Sequence, residues 1–419
     1  MADGPGLRRG DGVGRGGYCT LMQRTDVLIL GGGLVGLTLA LALDRHGVSS
    51  VVVDPADPAT TLSPTFDGRA SAIASASWNM LEAIGIAERL VPHGQPIHRI
   101  EVRDGLQRDP LVFADERPLG TMVENRILRR ELREAALASS NIDLRMPARA
   151  EVDRREDGVF ATLSDGSEVR ADLLVAAEGR RSPTRDAAGI RIAQWQYAHS
   201  AIVTAFDHER DHGGVAHEIF YPAGPFALLP MIGGKRSAVV WSVHGKDAAG
   251  MMALSDHAFA VEAEKAAGGL LGKFTIAAPR AAWPLGFHHA ATIIGERLAL
   301  VGDAAHGIHP IAGQGLNLGW RDAAALAQVI VEGSRLGLDL GDAQLLARYQ
   351  RWRGFDAMAV SVATDSFTRL FGVPGRIPRA VRRFGIGAVE RIAPLKSFFM
   401  AEARGEVGEL PTLLRGTMI

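Results

Sequence analysis

The apolar run Val27-Leu28-Ile29-Leu30 stops at Gly31-Gly32-Gly33, and a mostly apolar segment follows from Leu34 to His46 before Gly47 breaks it. A second apolar run, Ser50-Val51-Val52-Val53, closes on Asp54. Short uninterrupted apolar runs read as strands buried on both faces, and the segment between them as the crossover helix of a parallel βαβ unit. Two further strands are expected at Leu173-Leu174-Val175-Ala176, running into Ala177-Glu178-Gly179, and at Glu296–Val301, running into Gly302-Asp303. Beyond Gly313-Gln314-Gly315, apolar positions 316, 320, 323, 324, 327 and 330 trace one face of a helix. Arg126 opens another, with Leu128, Leu132, Ala135 and Ala136 inward. From about residue 190 to 287 the pattern changes. His217-Glu218-Ile219-Phe220-Tyr221 and Ser237-Ala238-Val239-Val240-Trp241-Ser242-Val243 alternate, as strands of a mainly antiparallel sheet do.

The expected fold is therefore α/β. Residues 1–24 form a tail. Residues 25–185 with 288–345 form a Rossmann-like, discontinuous nucleotide-binding domain. Residues 186–287 form an inserted, mainly antiparallel β domain, and 346–419 a helical region. The tail is rich in Gly and Arg, and Met22 stands where a native start would suit the first strand. Gly12, Gly14 and Gly17 have dinucleotide-motif spacing, but no strand precedes them and no helix follows. The uncharged stretch Val27–Leu43 resembles a signal core, yet glycines fill its middle and the pattern continues into a second strand. It is also short of the roughly 20 residues a membrane span needs.

Composition narrows the function. The chain of 419 residues has formal net charge −1, which offers no footprint for nucleic acid. Cys19 is the only cysteine, so an intrachain disulfide and cysteine-based zinc sites are excluded, and no metal site is expected. This suits a cytoplasmic setting.

In the first unit Gly31 permits the tight turn, Gly33 lets backbone approach a pyrophosphate, and Gly36 allows close helix–strand packing. The bare helix start at Leu34 and Val35 offers N–H groups to phosphate. Asp54 is placed to accept a ribose hydroxyl. This motif alone does not separate FAD from NAD. The second strand–loop–helix unit puts Asp303 at a strand's carboxyl end, where α/β sheets bind ligands. Gly313 and Gly315 leave its helix start open to a flat ring or an anion.

Further segments carry a resemblance. They are Asp67-Gly68-Arg69-Ala70-Ser71-Ala72-Ile73, Val123-Glu124-Asn125-Arg126-Ile127-Leu128-Arg129, Phe220-Tyr221-Pro222 with Leu228-Leu229-Pro230, and Trp283-Pro284-Leu285. The most specific is Gly302-Asp303-Ala304-Ala305-His306 through His309-Pro310-Ile311-Ala312-Gly313-Gln314-Gly315-Leu316-Asn317-Leu318-Gly319. From about Thr25 onward the chain resembles the class A flavoprotein aromatic monooxygenases, the para-hydroxybenzoate hydroxylase-like group with a glutathione reductase-type FAD domain. Within it the chain is most similar to the ubiquinone-biosynthesis hydroxylases.

The resemblance implies bound FAD. Asp303 would contact the ribityl chain, the backbone of Gly313–Asn317 the isoalloxazine, and Arg69 and Arg126 the phosphate and ribose region, with Gly302 also among the cofactor-binding residues. Read as residues alone, both arginines could equally be solvent-exposed. The family's middle motif is Asp-Gly, with a joint role in FAD and nicotinamide binding; here it is Glu178-Gly179. The implied reaction is hydroxylation of a polyprenylated phenol in ubiquinone biosynthesis through a C4a-hydroperoxyflavin, with O2 and transiently bound NAD(P)H. A dry pocket matters more to it than a catalytic triad. His306 and His309 beside the flavin loop are the candidates for a catalytic role, with a structural role as the alternative. Phe220, Tyr221, Phe226 and Trp241 are candidate pocket residues, or ordinary core. Two rival functions share the scaffold: a flavin-dependent reductase or dehydrogenase of an isoprenoid lipid, and a non-catalytic FAD-binding partner in a biosynthetic complex. Between 367 and 400, basic residues mixed with Phe, Ile and Leu suggest a surface for an anionic bilayer or a biosynthetic partner.

Overall fold

The structure, a computed structural model, describes residues 22–61, 65–106, 109–307, 314–372 and 393–419. The first apolar run forms β1 (Gln23–Leu30), α1 follows (Leu34–Asp44), and β2 (Ser50–Val53) returns parallel to β1. Gly47, at φ 74°, sits in the turn beyond α1. Strand Glu168–Ala176 pairs parallel with β1 on its other side. Ile142–Arg145 lies beyond β2, and Leu298–Leu300 beyond Glu168–Ala176. The register places Val53, Leu30, Ala176 and Leu300 in one row across the sheet. The loops after all four strands therefore leave one edge at one level, the edge where open α/β sheets bind ligands.

Two expectations change here. The strand expected from Glu296 begins only at Leu298, because Arg297 takes a left-handed φ of 47° and turns the chain out of a short hairpin with Ile294–Gly295. The Arg297 guanidinium is held by Asp339 and the Glu156 and Asp172 carbonyls. The helix Gln314–Arg335 is buried nearly all round rather than on one face: Ala323 through Ala327 and Val329 through Val331 have at most 1% exposure. It is packed between α1, the helix Ala343–Gly372 and the turn Thr412–Arg415.

A second sheet has nine strands, with Ile192–His208 pairing to Ala281–Ala290 on one side and Arg236–His244 on the other. Gly224–Met231 and Val215–Tyr221 follow. The alternation predicts this sheet within 186–287. In the structure Arg99–Asp104 joins it in parallel with Val215–Tyr221, Leu111–Ala114 extends it, and His306–Gly307 completes the opposite side. Edge strands present unpaired N–H and C=O groups, and segments remote in sequence satisfy them.

Each face of this sheet has its own partner. Ile202, Phe206, Ile219, Phe226, Leu228 and Val239 pack with Phe259, Ala260 and Ala263 of helix Asp256–Ala267. On the opposite face Ala216, Leu229, Met231 and Ala238 pack on a three-stranded sheet through Ala70, Ala72, Ile97 and Met122. The C-terminal region includes the helices Ala343–Gly372 and Ala393–Ala403. The tail to residue 21 and the centre of the basic segment, 373–392, lie outside the described residues, and with them most of the bilayer surface expected there. Among the described residues no helix is long and apolar enough to cross a membrane.

Candidate functional site

Three loops meet at the carboxyl edge of the parallel sheet. Gly31 has φ 112°, and a Cβ there would stand 2.3 Å from the Ala177 carbonyl oxygen. A Cβ on Gly36 would stand 2.0 Å from the Gly31 carbonyl oxygen. These two glycines are consumed by close packing between the first and middle segments. Gly33 differs: a Cβ there would meet nothing within 4 Å. It precedes α1 without a side-chain cap, and no acid lies in the first turn. The N–H groups around Leu34 and Val35 thus face open space, a ready anion site. Leu34 also accepts the Trp320 indole N–H at 3.2 Å, which ties the long buried helix to α1. Val35 packs on the third segment: a Cβ on Gly319 would lie 2.8 Å from Val35 Cγ2 and 3.1 Å from Gly302 Cα.

Asp54 stands at the end of β2 and accepts the Gly32 and Ala56 N–H groups, each at 2.7 Å. Those bonds fix the carboxylate and leave lone pairs for a ribose hydroxyl. Arg69 pairs with Asp67 at 2.5 Å and is 42% exposed; Arg126 pairs with Glu124 at 2.5 Å. Arg129 was not singled out from sequence. Burial lowers its pKa, as does Arg69, while Asp67 and Asp54 oppose the shift. It therefore shares the field of Asp54 and Arg69 at the ribose end, one helical turn past Arg126. That spacing was the available signal.

Glu178 accepts the Ser182 hydroxyl at 2.5 Å and the Thr184 N–H at 3.2 Å, capping the short helix Pro183–Ala187. The side chain that departs from the family's Asp is thus committed to local structure.

The third segment rests on a buried charge network. Asp322, with no exposure, accepts the Gly302 N–H at 3.0 Å and Arg353 Nε at 2.7 Å, and lies 2.7 Å from His306 Nε2. Burial works to raise the Asp322 pKa, but His306 and Arg353 overcome it and hold it below the usual carboxylate range. Arg353 continues to Asp356, which also holds Arg321. His306 is only 2% exposed, so it sits behind the loop rather than in an open cleft. His309 and Gly313 lie outside the described residues. Gly315 has open space on its Cβ side. Leu316 packs at the edge of the core. Asn317 clips the helix start to strand Ala70–Ala74, donating to the Ala72 carbonyl at 2.8 Å and accepting the Ala74 N–H at 2.9 Å.

Asp303 opens to solvent on one side but is crowded by protein on the others. That desolvation raises its pKa against the opposing pull of Arg180 and His306. His288 Nε2 meets the Asp303 carbonyl at 2.7 Å. Burial drives the His288 pKa down to about 4, so the ring is neutral near pH 7. A Cβ on Gly307 would lie 2.3 Å from His288 and 2.8 Å from Arg180, so a side chain there would have to displace both. The sequence reading missed Arg180, His288 and Arg353 and gave Asp322 no role. A charged residue inside an apolar helix was the one clue to Asp322.

The aromatic candidates separate. Phe226 stacks edge-on to Trp241 at 5.1 Å, Trp241 lies 5.6 Å from Phe259, and the Tyr221 hydroxyl donates to the Ala266 carbonyl at 2.5 Å. All three fill the layer under the helices, on the face turned away from the nucleotide side. Phe220 falls on the other face by strand alternation and is 7% exposed.

Open glycines at two helix starts, a fixed acid at the second strand and a carboxylate on the third loop suit an adenine dinucleotide carrying a flat ring. A family model described as FAD binding domain matches residues 24–362. The chain is 47% identical to ubiquinone hydroxylase UbiL of Rhodospirillum rubrum, over 93% of this chain and 92% of that one. It is 34% identical to 3-demethoxyubiquinol 3-hydroxylase of Escherichia coli, over 91% and 99%.

The chain belongs to the class A flavoprotein monooxygenases, in their ubiquinone-biosynthesis hydroxylase family.

Its fold is that of p-nitrophenol 4-monooxygenase from Pseudomonas putida (TM-score 0.75, 18% identity, 93% of this chain and 100% of that one). It is also that of PqsL, a probable FAD-dependent monooxygenase of Pseudomonas aeruginosa (TM-score 0.70, 24% identity, 90% and 100%). FAD is the cofactor. Gly33, the α1 start, Asp54 and the arginines at 69, 126 and 129 would hold its dinucleotide part, and Asp303 with the start of Gln314–Arg335 its flavin part.

Proposed function

We propose that this protein hydroxylates the aromatic ring of a polyprenylated phenol in ubiquinone biosynthesis, with NAD(P)H as reductant and O2 as oxygen donor. The observation that carries this reading is the convergence of the three loops on one sheet edge, in a chain related over nearly its full length to ubiquinone hydroxylases. Bound FAD supplies electron storage and oxygen activation. The protein's part is to bind, orient and exclude water. The α1 start neutralises phosphate charge. Asp322 and His306 fix the loop that carries Asp303. The nine-stranded sheet, docked on Ala70–Ala74, covers the same side.

The test is a quinone-precursor profile in a deletion strain, paired with O2 uptake by the purified yellow protein. Accumulation of an under-hydroxylated polyprenylphenol, and phenol-stimulated NAD(P)H oxidation with equimolar O2 and oxygenated product, are expected. Reduction of an isoprenoid lipid without oxygen insertion would replace this reading with a reductase. Bound FAD without phenol-stimulated oxidation would make the protein a non-catalytic partner.

A further inference from the structure

Glu218 stands in the middle of the nine-stranded sheet, on the face docked to the nucleotide side. The pairing register builds a row across that face: Val203, Val240, Ala227, Glu218, Val102, Leu111. Glu218 is the one charged member among aliphatic neighbours. Val203, Val240, Glu218 and Val102 are all partly exposed, whereas Ile219, Phe226 and Val239 on the other face are fully buried. That partial exposure leaves room beside the row for a ligand on this face. Flanking the row, Ala216 and Leu229 pack with Ala72, whose carbonyl accepts from Asn317 at the start of the helix expected to meet the flavin.

Among the described residues Glu218 makes no hydrogen bond or ion pair. The ionisable groups on the same face include Asp104, the Asp207–Arg236 pair, His199 and His244, and at the far side His289 and His306; Glu124 approaches from the three-stranded sheet. None contributes to its titration: burial alone raises the Glu218 pKa, to about 7. A carboxyl kept on an apolar surface without a partner is costly to the fold, and a substrate polar group is the partner such a site suits.

We propose that Glu218 accepts the proton of the substrate's ring hydroxyl. This inference rests on the phenol-hydroxylase reading above. The substrate O–H bond breaks, a carboxyl O–H bond forms, and no oxidation state changes in that step. The resulting phenolate is richer in electrons at its ring carbons. When the hydroxylated ring re-aromatises, its displaced ring hydrogen leaves as a proton to solvent and the carboxyl returns a proton to the ring oxygen.

The test uses the FAD-loaded enzyme and its Glu218→Gln and Glu218→Asp variants. A short-tailed alkylphenol is the substrate and 4-nitrophenol the reporter of bound-phenol ionisation. Wild-type hydroxylation should rise with pH through about 7. Glu218→Gln should fall about 100-fold, lose that rise, and bind the reporter un-ionised. Glu218→Asp should keep the rise at an intermediate rate. FAD content should hold in both variants and the melting temperature should not fall, because the side chain bonds to nothing among the described residues and its buried charge is a cost to the fold. A fall in FAD content or melting temperature assigns Glu218 to structure and overturns the proposal. A Glu218→Gln rate within about two-fold of wild type, or a persisting rise near 7, also overturns it while leaving the proposed function intact. Absence of phenol hydroxylation in the wild type overturns both.

Discussion

The sheet edge that would take the nucleotide and the cleft face of the nine-stranded sheet are built by different means. At the edge, backbone does the work: Gly31 and Gly36 lie against carbonyl oxygens, Gly33 leaves a helix start bare, and side chains mostly hold loops in place. On the cleft face the backbone is ordinary strand, and function rests on which side chain alternation turns inward. A site made of backbone tolerates few residue types and leaves a mark in the sequence. A site made of strand side chains leaves almost none.

The contrast is sharpest within one turn. Gly31→Ala is expected to cost more than about 3 kcal/mol, since its left-handed φ and the Ala177 carbonyl both oppose a side chain. Little folded, yellow protein should be recovered. Gly33→Ala, which meets open space, should melt within a few degrees of wild type yet lose FAD. Thermal melts read with flavin absorbance separate the two. Similar FAD loss and similar melting in both variants would erase the distinction between a packing glycine and a ligand glycine.

The charges around the site divide in the same way. Asp322→Asn strands Arg353 and His306 in a dry interior and should cost about 4 kcal/mol, with the Gly302 loop loosened. Arg69→Gln breaks a pair whose members are 42% and 29% exposed, so denaturant unfolding should change by less than about 1 kcal/mol. Its effect belongs in FAD affinity. Equal destabilisation by the two substitutions would mean that the network behind Asp303 is not the support it is taken for.

How legible each region was follows from this difference in how the two are built. The strand–glycine–helix order, Asp54 and the final loop could be read because each answers a backbone requirement. The partnership of Arg99–Asp104 with Val215–Tyr221 could not, because alternation shows that a strand has two faces and not which remote strand lies beside it. For the same reason alternation left Phe226 and Trp241 open between pocket and core, and they pack in the core under the helices, while Glu218 on the opposite face attracted no notice. Arg297 escaped because a positive φ at a non-glycine residue follows from its tertiary anchors, not from local propensity.

Residues on opposite faces of two paired strands sharpen the point about faces. Phe226→Ala empties a fully buried site under the helices and should cost about 3–5 kcal/mol with little change in KM for the phenol. Val240→Phe enlarges the cleft face beside Ala227 and should leave melting nearly unchanged while phenol hydroxylation falls by about ten-fold or more. Steady-state kinetics and melts on both variants decide it. A kinetic defect in Phe226→Ala with an unaffected Val240→Phe would reverse the assignment of faces.

The smallest expected effect is a pH slope. His288 is held neutral by burial, with its pKa lowered from 6.5 to about 4. Its folded value lies below its unfolded value, so between those limits the unfolded chain binds the extra proton. Stability attributable to His288 is complete above about 6.5 and is lost as pH falls toward 4. Glutamine at 288 cannot titrate but can still donate to the Asp303 carbonyl. Melting temperature plotted against pH should therefore be flatter in His288→Gln than in wild type across that window, and parallel to it above. Identical slopes would show that the ring is charged in the folded state. The Asp303 loop would then carry a cation at its back, which would oppose the rise that burial gives the Asp303 pKa.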